Sequence, residues 1–148
     1  MKVNDTYLSS LIKEEHRFEF GVFYFFDEFI ISEINEGETF EWNKASKVIK
    51  VGKQFYKNKN HKINYISNRI NDYSIKPQDW ITYLNKYNLL NIFAVVTHRK
   101  TAIHNLIIER LFYKGDIFSF DSLLEAVNFI REQDDLVPVT DFKKLKEN

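Results

Sequence analysis

Cysteine is absent from the 148 residues, which excludes disulfide frameworks, thiolate metal sites and cysteine nucleophiles together. The absence fits an intracellular, cytoplasmic address. Long apolar runs are also missing: stretches such as residues 22–26 are far too short to cross a bilayer, and residues 1–10 hold one lysine and no apolar signal core. The expectation is a soluble, unprocessed chain without membrane insertion. Charge of one sign is lacking too, with 21 basic and 21 acidic residues, so the electrostatic footprint of a dedicated nucleic-acid binder is not there. Glycine and proline are scarce, at four and two, and no linker, repeat or low-complexity segment interrupts the chain.

Aromatic rings are what the chain has in quantity: 14 Phe and 8 Tyr. Rings of that bulk fill a compact core, and any surplus is available to an interface. With a neutral net charge, the surplus predicts a homodimer or weak self-association, with Phe23, Phe25, Tyr56, Tyr83 and Tyr113 as the rings to watch. At this length one domain is expected, burying roughly two-thirds of the surface its unfolded form exposes.

Residues 1–16 are polar, with Leu8, Leu11 and Ile12 as a small docking group, and are expected to form an N-terminal arm. Alternation of Phe18, Phe20, Val22, Tyr24 and Phe26 predicts a strand over 17–26, and 29–34 returns as its antiparallel partner. Ala45, Val48, Ile49, Gly52, Phe55 and Tyr56 are spaced as one face of a helix over 43–58. Residues 63–66 read as the third strand, Pro77 opens a helix with Trp80, Leu84 and Tyr87 on one face, and the apolar run over 89–97 reads as a central strand covered on both sides. A helix follows over 100–113, with Ile103, Leu106, Ile107 and Leu111 expected inward. A short strand at 117–120 comes next. Ser122 and Glu125 have capping-box spacing before a last helix with Leu123, Ala126, Val127 and Ile130 as its buried stripe. Residues 133–148 are a charged tail. The order is β-β-α-β-α-β-α-β-α in one α/β domain over 17–132: a mixed sheet with a leading antiparallel hairpin, then parallel strands joined by right-handed crossovers.

That order, together with the acidic-Gly bend at Glu36-Gly37, the stretch Ile66-Ser67-Asn68-Arg69-Ile70-Asn71-Asp72-Tyr73-Ser74 and the Ser122-Leu123-Leu124-Glu125-Ala126 helix start, resembles the STAS/SpoIIAA-like family. The resemblance covers roughly residues 18–130 and is nearest to small members carrying an Ile-Ser-Asn-Arg loop. It implies a single-domain STAS/SpoIIAA-like fold and a non-enzymatic regulatory or protein-binding module. Kinship with CRAL-TRIO-type lipid-transfer domains implies an alternative, a small carrier of hydrophobic ligands. The Asp-Ser-Ser-Gly signature of anti-sigma-factor antagonists is missing, and Asn68-Arg69 stands in the comparable loop, so no phosphoserine carries over.

The candidate partner-binding residues are Ser67, Asn68, Arg69, Asn71, Tyr73 and Ser74, where a strand end meets a helix start and polar groups collect. Two roles fit them. Asn68, Asn71 and Asp72 have the side chains that make turns and cap the helix begun by Pro77. Alternatively Arg69 receives an acidic group in a forked contact while Tyr73 offers a flat surface. The loop has no glycine and no Gly-x-x-x-x-Gly-Lys pattern, which argues against a nucleotide-phosphate cradle. No catalytic set is found. Ser67 and Ser74 lack a Gly-x-Ser-x-Gly elbow and an identifiable base. His98, His104 and Glu109 match no metal-ligand spacing, which leaves them solvated or capping roles and implies neither metal nor cofactor. The series Lys44, Lys47, Lys50, Lys53, Lys57, Lys59 and Lys62 reads as the wet face of a helix, not as a nucleic-acid patch.

Overall fold

The computed structural model describes residues 1–59 and 62–133. Its main sheet has six strands in the order β1-β2-β3-β5-β7-β8: β1 Glu14–Phe18, β2 Gly21–Phe25, β3 Ile30–Ile34, β5 Ile63–Arg69, β7 Leu90–Thr97 and β8 Ile117–Phe120. The first three are antiparallel neighbours, and β3, β5, β7 and β8 run parallel. The helices are α1 Trp42–Phe55, α2 Pro77–Tyr87, α3 Lys100–Phe112 and α4 Leu123–Glu132. A second, two-residue parallel pair, β4 Thr39–Phe40 with β6 Ser74–Ile75, closes the loops before α1 and α2 against each other. The α/β class, the leading hairpin and the parallel remainder agree with the sequence expectation.

The alternating stretch over 17–26 is not one strand. It breaks at Glu19-Phe20, and its first half belongs to a separate edge strand that starts three residues earlier, at Glu14. Gly21 makes the break possible: a Cβ there would lie 2.7 Å from the Glu33 carbonyl oxygen of the adjacent strand, closer than two atoms can pack. The arm assigned to 1–16 is therefore split between a strand and two 3-10 turns. Those turns are packed in, since Val3 and Leu8 are fully buried. Of the tail assigned to 133–148, everything from 134 on lies outside the described residues.

Strand order increases without reversal across the parallel strands, so crossovers of one hand put α1, α2 and α3 on the same face. The two cores confirm this placement. One gathers Ala45, Tyr56, Ile81, Leu84, Tyr87 and Leu106 from those helices against Phe23, Phe25, Phe93 and Val95. The other packs α4, through Leu123, Ala126, Val127 and Ile130, together with Val3 and Leu8 against Tyr24, Ile31, Ile66, Ala94 and Val96. The Ser122 hydroxyl accepts from the Glu125 backbone N–H at 3.4 Å, as the capping-box spacing predicts. β7 is buried on both faces through its middle, alternating between the two cores. The surplus rings have been absorbed: Phe23, Phe25 and Tyr56 are buried, while Tyr83 and Tyr113 are half-buried against the first core.

Candidate functional site: a buried polar network and an exposed apolar ridge

Among the described strands the order is unreversed and has no switch-point crevice, the ligand position usual in doubly wound sheets. What stands at the carboxyl ends of β3, β5 and β7 instead is a set of polar side chains turned into the protein. β5 runs to Arg69, three residues beyond the expected strand end, because Ser67, Asn68 and Arg69 pair in register with Val95, Val96 and Thr97. All three are buried, so none lies in a loop.

On the side facing α1 to α3, Arg69 meets Glu109 of α3. The guanidinium Nη2 donates to Oε2 at 2.8 Å, and Nη1 lies 2.6 Å from Oε1, in a contact that meets off the N–H axis. Both side chains have 1% exposure or less. Arg69 Nε donates to the Ser67 hydroxyl at 3.0 Å, which lies 3.2 Å from the Tyr73 hydroxyl, and Ser32 and Tyr65 share a hydrogen bond of 2.7 Å nearby. Burial works against the charge on Arg69, but the Glu109 carboxylate, close by and hydrogen-bonded to the guanidinium, more than compensates and pushes its pKa up. Burial raises the Tyr65 and Tyr73 phenols, which stay protonated. Asn105 adds a second tie, donating from α3 to the Tyr73 carbonyl at 2.8 Å. Taken together, these contacts clamp α3 to the end of β5.

Asn68 points to the other face. Its Nδ2 donates to the Glu33 carboxylate and to the Met1 carbonyl, both at 2.9 Å, while its Oδ1 lies 3.4 Å from His98 Nε2. Glu33 also accepts from the Val3 backbone N–H at 2.8 Å, and burial raises its pKa. Asn71 donates to the Ile34 carbonyl at 3.0 Å, and the Asp72 N–H donates to Glu36 at 2.8 Å. These residues tie the loop to the end of β3. They do not cap α2, whose N-cap is Lys76 with no side-chain cap bond. Tyr73 is buried and Ser74 is exposed within β6. Only Asn71 and Ser74 of the six candidate residues reach the surface to any degree.

His98, His104 and Glu109 do not converge: His98 sits beside Asn68, His104 is exposed on α3, and Glu109 faces inward to Arg69. Among the described residues no group of three or more such side chains is placed to hold a metal ion. Partial burial, followed by the amino terminus and Arg99, holds His98 below its ordinary value of 6.5. The folded chain thus favours the neutral ring. The resulting stability is complete above the ordinary value and is lost as pH falls through the lower folded one. Glu33, raised by burial, has the opposite dependence, its contribution being lost as pH rises. Melts between pH 7.5 and 5 are expected to decline less steeply for His98→Asn than for the parent; identical slopes would show that this proton plays no part.

The surface feature that sequence periodicity misplaced is on α3. Of the four side chains expected inward, only Leu106 is buried; Ile103, Ile107 and Leu111 are 47%, 55% and 79% exposed. Ile108 and Phe112 join them at 43% and 39%. The inward side is Ala102, Leu106 and the paired Glu109. Apolar residues on both sides of a helix hide which side faces the core. A polar-looking Glu109 turned inward by Arg69 completes the disguise.

Comparison with known proteins finds no matching family model, no similar curated protein and no matching solved structure. Fold and site together define an α/β protein on a mixed, unreversed sheet, with its polar chemistry turned inward and an aliphatic helix face turned out.

Proposed function

We propose that the chain is a non-enzymatic, cytoplasmic protein-binding module, resembling STAS domains in its strand and helix order, which binds through the outer face of α3. The observation that carries this reading is the row of five exposed apolar side chains from Ile103 to Phe112 on one helix. Soluble proteins seldom leave a contiguous apolar patch of that kind without an occupant. The buried network supports the same reading. Ser67 bonds to Tyr73 and Arg69, and Arg69 to Glu109, which makes these residues the anchor of α3 and commits their polar groups to one another. In this reading Arg69 acts as a positioning residue behind the binding face.

A hydrophobic-ligand carrier is supported less. One groove among the described residues, of about 750 Å³ beside Leu84, Tyr113 and Phe129, is open and rimmed by Lys114, Asp116 and Asn91, whereas apolar carriers need an enclosed apolar cavity. Among the described residues no helix is long and apolar enough to cross a membrane.

The test uses the tagged chain in native extract. The parent is expected to run above its monomer size, and Ile107→Glu with Leu111→Glu to run as a monomer while melting within a few degrees of the parent, because both positions are exposed. A parent that runs as a free monomer would end the reading.

A further inference from the structure

We infer that the occupant of the α3 face is a second copy of this chain, its α3 packed antiparallel about a two-fold axis passing between Ile107 and Ile108. The inference rests on the binding role proposed for α3. A two-fold contact must be self-complementary, and the α3 pattern has that property. Antiparallel pairing about this axis sets Ile107 opposite Ile108 and Leu111 opposite His104 in the seam, with Ile103 and Phe112, half a turn apart around the helix, on its two flanks. The row Ile103, Ile107, Leu111 is an i, i+4 ridge, the kind that interdigitates with its own copy.

Charge agrees with the pairing. Glu109, the one carboxylate of α3, is turned inward to Arg69, so the seam buries no acid. Antiparallel packing also brings the first turn of one copy, flanked by exposed Arg99, toward the carboxyl end of the other, where the helix dipole is negative and exposed Asp116 follows. Arg99 has room for that role, since its contact with Asp72 is a loose 3.6 Å at the surface. Other occupants fit less well. A bilayer calls for a belt of cations along the apolar face, but among the described side chains α3 offers His104 and an Arg110 already donating to the Ile117 carbonyl at 3.0 Å. A partner's helix would need to match a convex ridge, which the chain's own α3 already does.

One helix from each copy makes a small interface, so the dimer is expected to dissociate on dilution. Sedimentation of the purified chain over a concentration series should show a monomer–dimer equilibrium. Ile107→Glu with Leu111→Glu should weaken it at least tenfold with the melt preserved. Because the chain has no cysteine, a single introduced thiol reports the pairing. Ile108→Cys lies about one residue of helical rise from its twin and should form a disulfide dimer on mild oxidation. Ile103→Cys, about 13 Å along the axis from its twin, should not. A purified chain that stays monomeric at high micromolar concentration would overturn the second copy as occupant. So would a dimer untouched by the glutamates, equal crosslinking at 103 and 108, or a monomer that sediments with anionic phosphatidylserine vesicles through α3. If the purified chain is monomeric while the parent in extract still runs large through α3, the binding role stands and only the identity of the occupant is wrong.

Discussion

Arg69→Ala is expected to destabilise the protein by about 3–5 kcal/mol, because it leaves the Glu109 carboxylate buried without its cation. Both side chains are almost wholly out of water, and their 2.8 Å bond joins β5 to α3. Against a total stability of roughly 5–15 kcal/mol, a loss of that size lowers the melting temperature by tens of degrees or prevents folding. Glu109→Gln should also be destabilising, since it strands the guanidinium instead. The double variant Arg69→Met with Glu109→Leu removes both charges while keeping bulk, and should recover most of the loss. Chemical denaturation of the three variants and the parent decides the matter. If Arg69→Ala unfolds at the parent's denaturant concentration, the guanidinium is not holding α3.

Val95→Asp should be at least as damaging. Val95 is fully buried in β7 and packs into the core beneath α1 to α3, beside Ser67, where the Arg69 guanidinium on that face is already paired with Glu109. The new group is either ionised without a partner or protonated at a cost in pKa, and either outcome removes several kcal/mol. His98→Ala, at the exposed residue just past the end of the same strand, should be mild by comparison. Soluble expression and thermal melts of the pair make the test. A Val95→Asp protein that melts with the parent would mean that β7 does not lie inside the sheet.

Local patterns carried the fold a long way. The Pro77 helix start, the apolar run ending at Thr97 and the Ser122–Glu125 cap each depend on neighbours in sequence, and each is where its pattern predicts. The break at Glu19-Phe20 was hidden because apolar alternation continues straight through it; the Gly21 approach to Glu33 is set by the adjacent strand. The polar site was legible only in part. Ser67, Asn68, Arg69 and Tyr73 were picked out as a cluster, and they do cluster, but with Ser32, Tyr65, Glu33 and Glu109, from 32 to 109 in the chain. The polar pair Ser32-Glu33 within an apolar strand was the one local sign that buried hydrogen bonding lay there.

The sequence by itself determined the α/β class, the antiparallel opening, the parallel remainder and the lack of thiol chemistry, because periodicity, turn residues and composition act over a few residues at a time. Tertiary structure decided which face each side chain meets. Only packing tells that Arg69 is an anchor because Glu109 reaches it across 40 residues. For the same reason α3, apolar on both sides, buries Leu106 and exposes Leu111: a buried charge must find its partner, and that constraint fixes the rotation of the helix.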